Sequence, residues 1–471
     1  MNIKLPEKTF VYLALIFGVI FIVITPPFQS PDEDSHFKKS YLISEGVFFP
    51  TTKEGVLGNY IESSIVDYVD TNRDTLSGNL DYKFSYKDMY YQQFLPRGYT
   101  GEKFYNYSTA SVSPVAYISP ATGILFAKVT SKIIYSTSAN TLYMLYFARF
   151  FSLIFYIFLI YLAVKTTPIL KKTMTVVALL PTALFLAAAV TYDSILLAAS
   201  MLMLSLIFKL SYNDTVKQIN WKYILALIAV SFILLNIKTV YITLLALFLI
   251  LPVKKFGLKI IIKKFLMILT GVLLITVIMK IPMLFLSESM NNDMIAAKEQ
   301  LSFIFSNPIK YTAVLFNNII GQYFYQLRTM IGTLGNLDTN LPGFSLIVLL
   351  FSLVITGIAD ISLCKIKFDI KQKLIVLVIL VASTVGIYTA LYWKWTSIMP
   401  GYGIGSDHIT GVQGRYFLPL LFVTFLLFSN NYANKHKKYK ICCEKILEYS
   451  HIAPFVGLVV SSLIILLRFW V

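Results

Sequence analysis

The sequence predicts an all-α polytopic membrane protein of about eleven transmembrane helices, with a large extracytoplasmic first loop and interfacial helices. Three observations lead there. Of 471 residues, 57% are hydrophobic and only 14% are charged, at a mean hydropathy of +0.70, whereas a soluble domain carries roughly 25% charged residues. Apolar runs that approach the roughly 20 residues of a spanning helix recur along the chain. Lysines gather in alternate connecting loops, the pattern that cytoplasmic loops follow. The net charge of +17 therefore reads as basic cytoplasmic loops and not as nucleic-acid binding.

Residues 1–27 hold the first span, at 10–25, preceded by Lys4 and Lys8. No small-residue cleavage site follows Thr25, so this span is read as retained. Residues 28–140 form an extracytoplasmic loop with an interfacial helix over 113–135. Between Phe28 and Ala110 the loop carries twelve acidic and eight basic residues, and structured loops of this length usually carry function. Counting 113–135 as a crossing would move every later basic loop outside. Residues 141–285 form a helix bundle with spans near 141–164, 173–190, 194–210, 222–236, 240–252 and 265–285.

Residues 286–342 are an extracytoplasmic, interfacial segment, with polar and aromatic residues interleaved over 301–328. Residues 343–471 supply C-terminal spans near 343–363, 374–393, 416–429 and 452–469, with an outer loop at 394–415. Lys165, Lys171 and Lys172, then Lys254 and Lys255, then Lys365, Lys367 and Lys371, then Lys435 and Lys437 all fall on one side if the N-terminus is inside. Cys364, Cys442 and Cys443 then lie on the cytoplasmic side. They are too few and too badly spaced for a disulfide framework or a standard zinc site.

Four groups of residues are candidates for chemistry. Ser30-Pro31-Asp32-Glu33-Asp34-Ser35-His36 follows the first span. In a helix starting here, His36 shares a face with both Asp32 and Glu33, and a carboxylate desolvated beside another suits a general base. The same residues also read as a capping box, with Ser30 as N-cap and Glu33 as its acidic partner. Gly411-Val412-Gln413-Gly414-Arg415-Tyr416 leads into a span. There Arg415 suits a bidentate phosphate contact or an interfacial anchor.

Arg149, Tyr192-Asp193 and Lys238 with Tyr241 sit close to outer helix ends. Ionisable groups inside a membrane domain are functional candidates. Arg149 and Lys238 also fit snorkelling side chains, and Asp193 fits a helix cap. The Gly-rich stretch from Arg328 to Pro342 carries Asp338, and it also reads as a tight turn with Thr339 or Asn340 capping the next helix. All four groups reach one outer face, which is what a lipid-linked substrate requires.

The order of these motifs, with Ser113-Pro114-Val115-Ala116-Tyr117, Lys238-Thr239-Val240-Tyr241 and Gly332-Thr333-Leu334-Gly335-Asn336-Leu337-Asp338, resembles the bacterial membrane family catalogued as domain-of-unknown-function family 2142. The resemblance covers nearly the whole chain. Asn336 departs from the tryptophan of that pattern. The family is in turn similar to the C-type (GT-C) glycosyltransferases, multi-spanning enzymes that take a sugar from a polyprenyl-phosphate carrier outside the cytoplasmic membrane.

The resemblance implies a GT-C-like fold in the bacterial cytoplasmic membrane, N-terminus inside and active site facing outside. It implies inverting transfer from a polyprenyl-phosphate-linked sugar donor to a cell-surface glycan acceptor. Asp32 and Glu33 would be catalytic. His36, Arg149, Asp193, Lys238, Tyr241, Asp338, Gln413, Arg415 and Tyr416 would bind substrate, with the donor phosphate against Arg415, Lys238 and Arg149. Tyr86, Tyr90 and Tyr91 would offer sugar-stacking faces. An acidic pair is able to hold Mg²⁺ or Mn²⁺ through oxygen ligands, although the sequence requires no metal. The rivals are a transporter or flippase for lipid-linked glycans, a polysaccharide polymerase or ligase, and a non-catalytic scaffold.

Overall fold

Pro6 opens helix α1 (Pro6–Ile24), where its missing N–H costs nothing, and Pro26-Pro27 close it. Phe10, Ala14, Phe17, Gly18 and Phe21 recur at helical spacing and form its buried face. The computed structural model describes residues 5–87, 101–284, 292–364, 368–430 and 436–471. Lys4, Tyr90, Tyr91, Lys365, Lys367 and Lys435 lie outside the described residues.

The first long loop is not purely helical. Helix α2 (Glu33–Ser44) and helix α3 (Ser63–Leu76) are joined through strands β1 (Thr51–Lys53) and β2 (Val56–Glu62), and β3 (Glu102–Tyr105) adds to β2 in an antiparallel sheet of order β1-β2-β3. Val56–Glu62 carries the β-branched and aromatic residues that strands favour. The two-residue turn needs positive φ at both centres, and Glu54 (φ 52) and Gly55 (φ 78) supply it. Polar α2 is held inside the loop by long-range partners. Lys38 pairs with Asp70 at 2.6 Å, and the buried Lys39 donates to Ala110 O at 2.9 Å.

A short 3₁₀ turn (Pro114–Tyr117) leads into α4 (Ile118–Tyr135), which lies along α5 (Thr141–Thr166). Gly123 allows the close approach, because a Cβ there would stand 2.4 Å from Phe147 O. The far side of α4 leaves Leu125, Phe126, Val129 and Ile133 exposed, the apolar face expected of an interfacial helix.

The predicted span at 173–190 is broken. It forms α6 (Lys171–Ala178) and α7 (Pro181–Ala187), because Pro181 cannot continue the preceding helix. Residues 173–190 are buried throughout, so an apolar run that suggested lipid contact is instead the packed centre of the bundle. Around it stand α8 (Asp193–Tyr212), α9 (Trp221–Ile237), a 12-residue 3₁₀ helix (Thr239–Ile250), α10 (Val253–Phe256) and α11 (Leu258–Leu284).

The 301–328 segment is built from three helices, α12 (Asn292–Ser306), α13 (Pro308–Gly321) and α14 (Tyr323–Gly332). A hairpin of β4 (Thr333–Leu334) and β5 (Thr339–Asn340) follows. Thr339 and Asn340 are therefore strand residues and not helix caps; Pro342 precedes α15 (Gly343–Leu363). The chain ends with α16 (Ile370–Lys394), α17 (Leu418–Thr424) between 3₁₀ turns Gly414–Phe417 and Phe425–Phe428, α18 (Lys437–Tyr449) and α19 (Ile452–Phe469).

Among the described residues seven helical segments are long and apolar enough to cross a membrane. The other four predicted spans are the broken α6–α7, the 17-residue α9, the 3₁₀ helix and the Gly414–Phe428 composite. Sequence hydropathy counts apolar residues, and backbone length decides which of them reach across.

Gly123→Val forces the Phe147 backbone to move, so it is expected to lower the thermal-unfolding midpoint in detergent, by a destabilisation of about 1–3 kcal/mol. Gly321→Ala, at a glycine with nothing within 4 Å of the added Cβ, serves as the tolerated control in the same fluorescence melt.

Candidate functional site

Asp32 and Glu33 are neighbours with opposite surroundings. Asp32 precedes α2 in the left-handed conformation (φ 61, ψ 12), which Asp adopts more readily than most residues. The expected capping box is not formed: α2 begins at Glu33, Asp32 O accepts from His36 N at 3.0 Å, and the Ser30 hydroxyl has no hydrogen-bond partner among the described residues. The left-handed step separates the two carboxylates. Asp32 keeps 55% of its side chain exposed, while Glu33 keeps none.

Glu33 accepts a bidentate pair from Arg149, Nε to Oε1 at 2.8 Å and Nη2 to Oε2 at 2.6 Å, and Oε1 also accepts Val190 N at 2.9 Å. Arg149 is fully buried and donates further to Thr25 O at 2.7 Å, Pro26 O at 2.9 Å and Ile22 O at 3.4 Å. Every guanidinium donor has an acceptor. The expected snorkelling of Arg149 and its expected phosphate contact both give way to this closed network, and Glu33 is shut away from any substrate.

A second network joins distant segments. Arg415, only 4% exposed, donates from Nη2 to Asp32 Oδ2 at 2.8 Å and lies with Nε 3.3 Å from Asp193 Oδ2. Lys238 Nζ stands 3.6 Å from Asp193 Oδ1 and 3.4 Å from the Tyr416 ring centroid. The Tyr241 hydroxyl donates to Tyr416 O at 2.6 Å. Asp193 is the first residue of α8, and its carboxylate is engaged by these cations instead of capping its own helix. Asp32, His36, Asp193, Lys238, Tyr241, Gln413, Arg415 and Tyr416 thus converge from the ends of separate helical segments.

A cavity of about 590 Å³ opens here, lined by Asp32, His36, Lys238, Tyr241, Gln413 and Tyr416. Lys238 Nζ and Gln413 Oε1, although buried, have no hydrogen-bond partner among the described residues, and neither has Arg415 Nη1. Such orphaned polar atoms are costly unless a ligand or water meets them. Apolar walls come from Val240, Ile387, Leu391, Trp393 and Trp395.

Sequence reasoning missed Lys394 and gave no role of their own to Tyr192 and Tyr117, which it named only within motifs. Lys394, at the end of α16, is a second cation on the cavity wall. Tyr192 lines it too, edge-on to His36 at 4.7 Å between centroids. Tyr117 shares a 2.8 Å hydrogen bond with His36 Nδ1. Lys394 between Trp393 and Trp395 carried an interfacial signature that would have flagged it.

Burial raises the Asp32 carboxyl, yet the Arg415 guanidinium and His36 outweigh that, leaving it below its ordinary range. Asp32 is therefore ionised at neutral pH. Burial pushes His36 down to about 4 against the pull of Asp32 and Asp193, so its imidazole is neutral and serves as a hydrogen-bonding group.

The Asp32–Glu33 pair does not fit a divalent metal. One carboxylate faces the cavity with Arg415 and the other is spent on Arg149, and among the described residues no cluster of three His, Cys, Asp or Glu side chains forms a metal site.

Two expected residues lie elsewhere. Asp338 pairs with Arg468 of α19 at 3.0 Å, and Arg468 also donates to Leu76 O and Asn79 O, so Asp338 holds the β4–β5 hairpin to the last helix, and Arg468 ties the first loop to both. Tyr86 packs on Trp470 at 4.4 Å between centroids, away from the cavity. A family model described as "Predicted membrane protein (DUF2142)" matches residues 15–424. No curated protein and no solved structure matches the chain.

Glu33→Ala leaves Arg149 buried without its counter-charge, a loss of about 3–5 kcal/mol. A sharp fall in folded yield on size exclusion is expected, and pairing it with Arg149→Met should recover part of it. His36 takes up its proton near 6.5 when unfolded and near 4 when folded, so the unfolded state binds more protons between these values. Its contribution to stability is complete above pH 6.5 and is lost as pH falls toward 4. His36→Gln should flatten the thermal-midpoint profile over that window.

Proposed function

The chain belongs to the family described as predicted membrane protein (DUF2142), and for this bilayer-embedded chain we propose a membrane glycosyltransferase that moves a sugar from a polyprenyl-phosphate donor to a cell-surface glycan. The site faces outside the bacterial cytoplasmic membrane, with the N-terminus inside. The observation that carries the reading is the ionised, half-exposed Asp32 in one cavity with the half-buried Lys238, whose ammonium has no hydrogen-bond acceptor among the described residues. A base that shares a cavity with a cation holding unused hydrogen-bond donors suits an anionic lipid-linked donor and a hydroxyl acceptor.

In the proposed step the acceptor hydroxyl oxygen forms a bond to the donor's anomeric carbon. The bond from that carbon to the phosphate oxygen breaks, and its electron pair leaves with polyprenyl phosphate. Asp32 takes the acceptor proton. Lys238 and Lys394 stand against the charge that grows on the departing phosphate, and the Tyr192 and Tyr416 rings keep Lys238 beside it, at 5.2 and 3.4 Å. Arg415 is the positioning residue: it fixes Asp32 and holds it ionised. The apolar wall of Val240, Ile387 and Leu391 suits the first isoprene units of the lipid.

Asp32→Asn is expected to lower turnover by about 100-fold or more, the usual contribution of a general base, in a purified preparation that folds as wild type. Lys238→Gln and Lys394→Gln are expected to raise the donor KM. In cells, a strain lacking the gene should lose one sugar from its surface polysaccharide, restored by wild type but not by Asp32→Asn. Unchanged composition in the deletion, or rescue by Asp32→Asn, would turn the assignment to transport of the same lipid-linked glycan.

A further inference from the structure

His36 is only 1% exposed, yet it lines the Asp32 cavity. Its neutral imidazole carries one N–H and one bare nitrogen. Which of the two it offers to a substrate is set by the partner of the other.

Nδ1 stands 2.8 Å from the Tyr117 hydroxyl, and Tyr117 is fully buried. A buried phenol whose proton meets no acceptor is costly. Thr109 also stands beside that oxygen, and its hydroxyl donates to Ser35 O at 2.8 Å; the 2.8 Å bond to Nδ1 is the one the geometry gives Tyr117. Tyr117 therefore donates to a bare Nδ1, and the ring proton is left on Nε2. The ring is held against turning: Tyr192 packs edge-on at 4.7 Å between centroids and Tyr117 lies at 5.6 Å.

Resting on the transferase reading, we propose that Tyr117 fixes His36 as the Nε2–H tautomer and that this N–H donates to the acceptor hydroxyl whose proton Asp32 takes. Tyr117 is then a positioning residue, and His36 touches the nucleophile.

The pairing with Asp32 supports this role. The two residues stand one helical turn apart, with His36 N donating to Asp32 O at 3.0 Å. Their side chains share no hydrogen bond among the described residues, since Asp32 is bonded to Arg415 and His36 to Tyr117, so a ligand atom has room to meet both. An ionised carboxylate only accepts and the Nε2–H only donates, so a group lying between them has to do both. A hydroxyl does, and its second lone pair stays free for the anomeric carbon. As the carbon–oxygen bond forms, the proton passes to Asp32, polyprenyl phosphate leaves with the electron pair of the broken bond, and His36 keeps its proton throughout.

The test uses the full-length protein in lipid bilayers, labelled with nitrogen-15 histidine. The sequence has four histidines, and the His36 signals are those lost in His36→Gln. Solid-state NMR at neutral pH is expected to show Nε2 protonated and Nδ1 bare in the wild type, and a mixture of tautomers in Tyr117→Phe. The transfer assay takes oligosaccharides released from the surface polysaccharide of the strain lacking the gene as acceptor, and polyprenyl-phosphate sugars extracted from the wild-type strain as donor. Tyr117→Phe should lower kcat/KM for the acceptor about tenfold, the worth of one oriented hydrogen bond, with donor KM unchanged. His36→Gln sets an amide N–H near the place of Nε2–H whatever Tyr117 does. In that background Tyr117→Phe should cost little more, a non-additivity that a purely structural tyrosine does not give.

Nδ1 protonated and Nε2 bare in the wild type overturns the proposal. So does the expected tautomer with acceptor kcat/KM unchanged in Tyr117→Phe, or with donor KM raised in its place; both leave the transferase standing. A folded wild type that transfers no sugar removes the transferase reading, and the role toward the nucleophile with it, while the NMR signals still decide the tautomer.

Discussion

The bidentate pair between Glu33 and Arg149 is the interaction on which the rest of the site depends. Both side chains are fully buried, where an ion is tolerated only if its partner and its remaining hydrogen bonds are supplied. Arg149 supplies Glu33 with two donors, and Val190 N adds a third. Thr25, Pro26 and Ile22 carbonyls complete Arg149. One contact therefore joins the end of α1, the start of α2, the body of α5 and the linker before α8. Because Glu33 is pinned inward and Asp32 adopts positive φ, Asp32 is turned toward the cavity.

From Asp32 the charges alternate: Asp32, Arg415, Asp193, Lys238. Alternation of sign is what permits four ionised groups so close together in a poorly solvated region. It also sets the chemistry. Two carboxylates balance two cations, so the network is neutral, and Lys394 on the same cavity wall tips the local field positive. In the proposed transfer that excess meets the donor phosphate, while Arg415 keeps the base charged without neutralising its exposed face. His36 stays neutral in the same field because burial outweighs both nearby carboxylates.

The polar first loop is anchored at several points along the chain. Arg468 clamps the carbonyls of Leu76 and Asn79, and Trp470 donates to Ile24 O at 2.7 Å. The last helix thereby fixes the loop against the first. Such long-range ties explain how a polar segment holds α2 in place with Asp32 turned to the cavity at its start.

Composition and apolar periodicity by themselves determined that this is a helical, membrane-embedded chain, because the apolar surface it must bury exceeds what a soluble fold encloses. The convergence of Asp32, His36, Asp193, Lys238, Tyr241, Gln413, Arg415 and Tyr416 was also legible, since each lies beside a helix end and alternate crossings return such ends to one side. Hydropathy could not distinguish lipid from protein as the environment of residues 173–190, since Leu, Val and Ala suit both, and Pro181 broke that run into two interior helices.

Only the tertiary structure decided the fates of the charged residues. Asp32 and Glu33 are adjacent carboxylates with the same local sequence signal, and their difference comes from Arg149 and Arg415, which are 116 and 383 positions away. Asp338 looked like a site residue until Arg468 claimed it. Electrostatic partnership acts through space, so a carboxylate's role as strut or base follows from which cation the fold brings beside it.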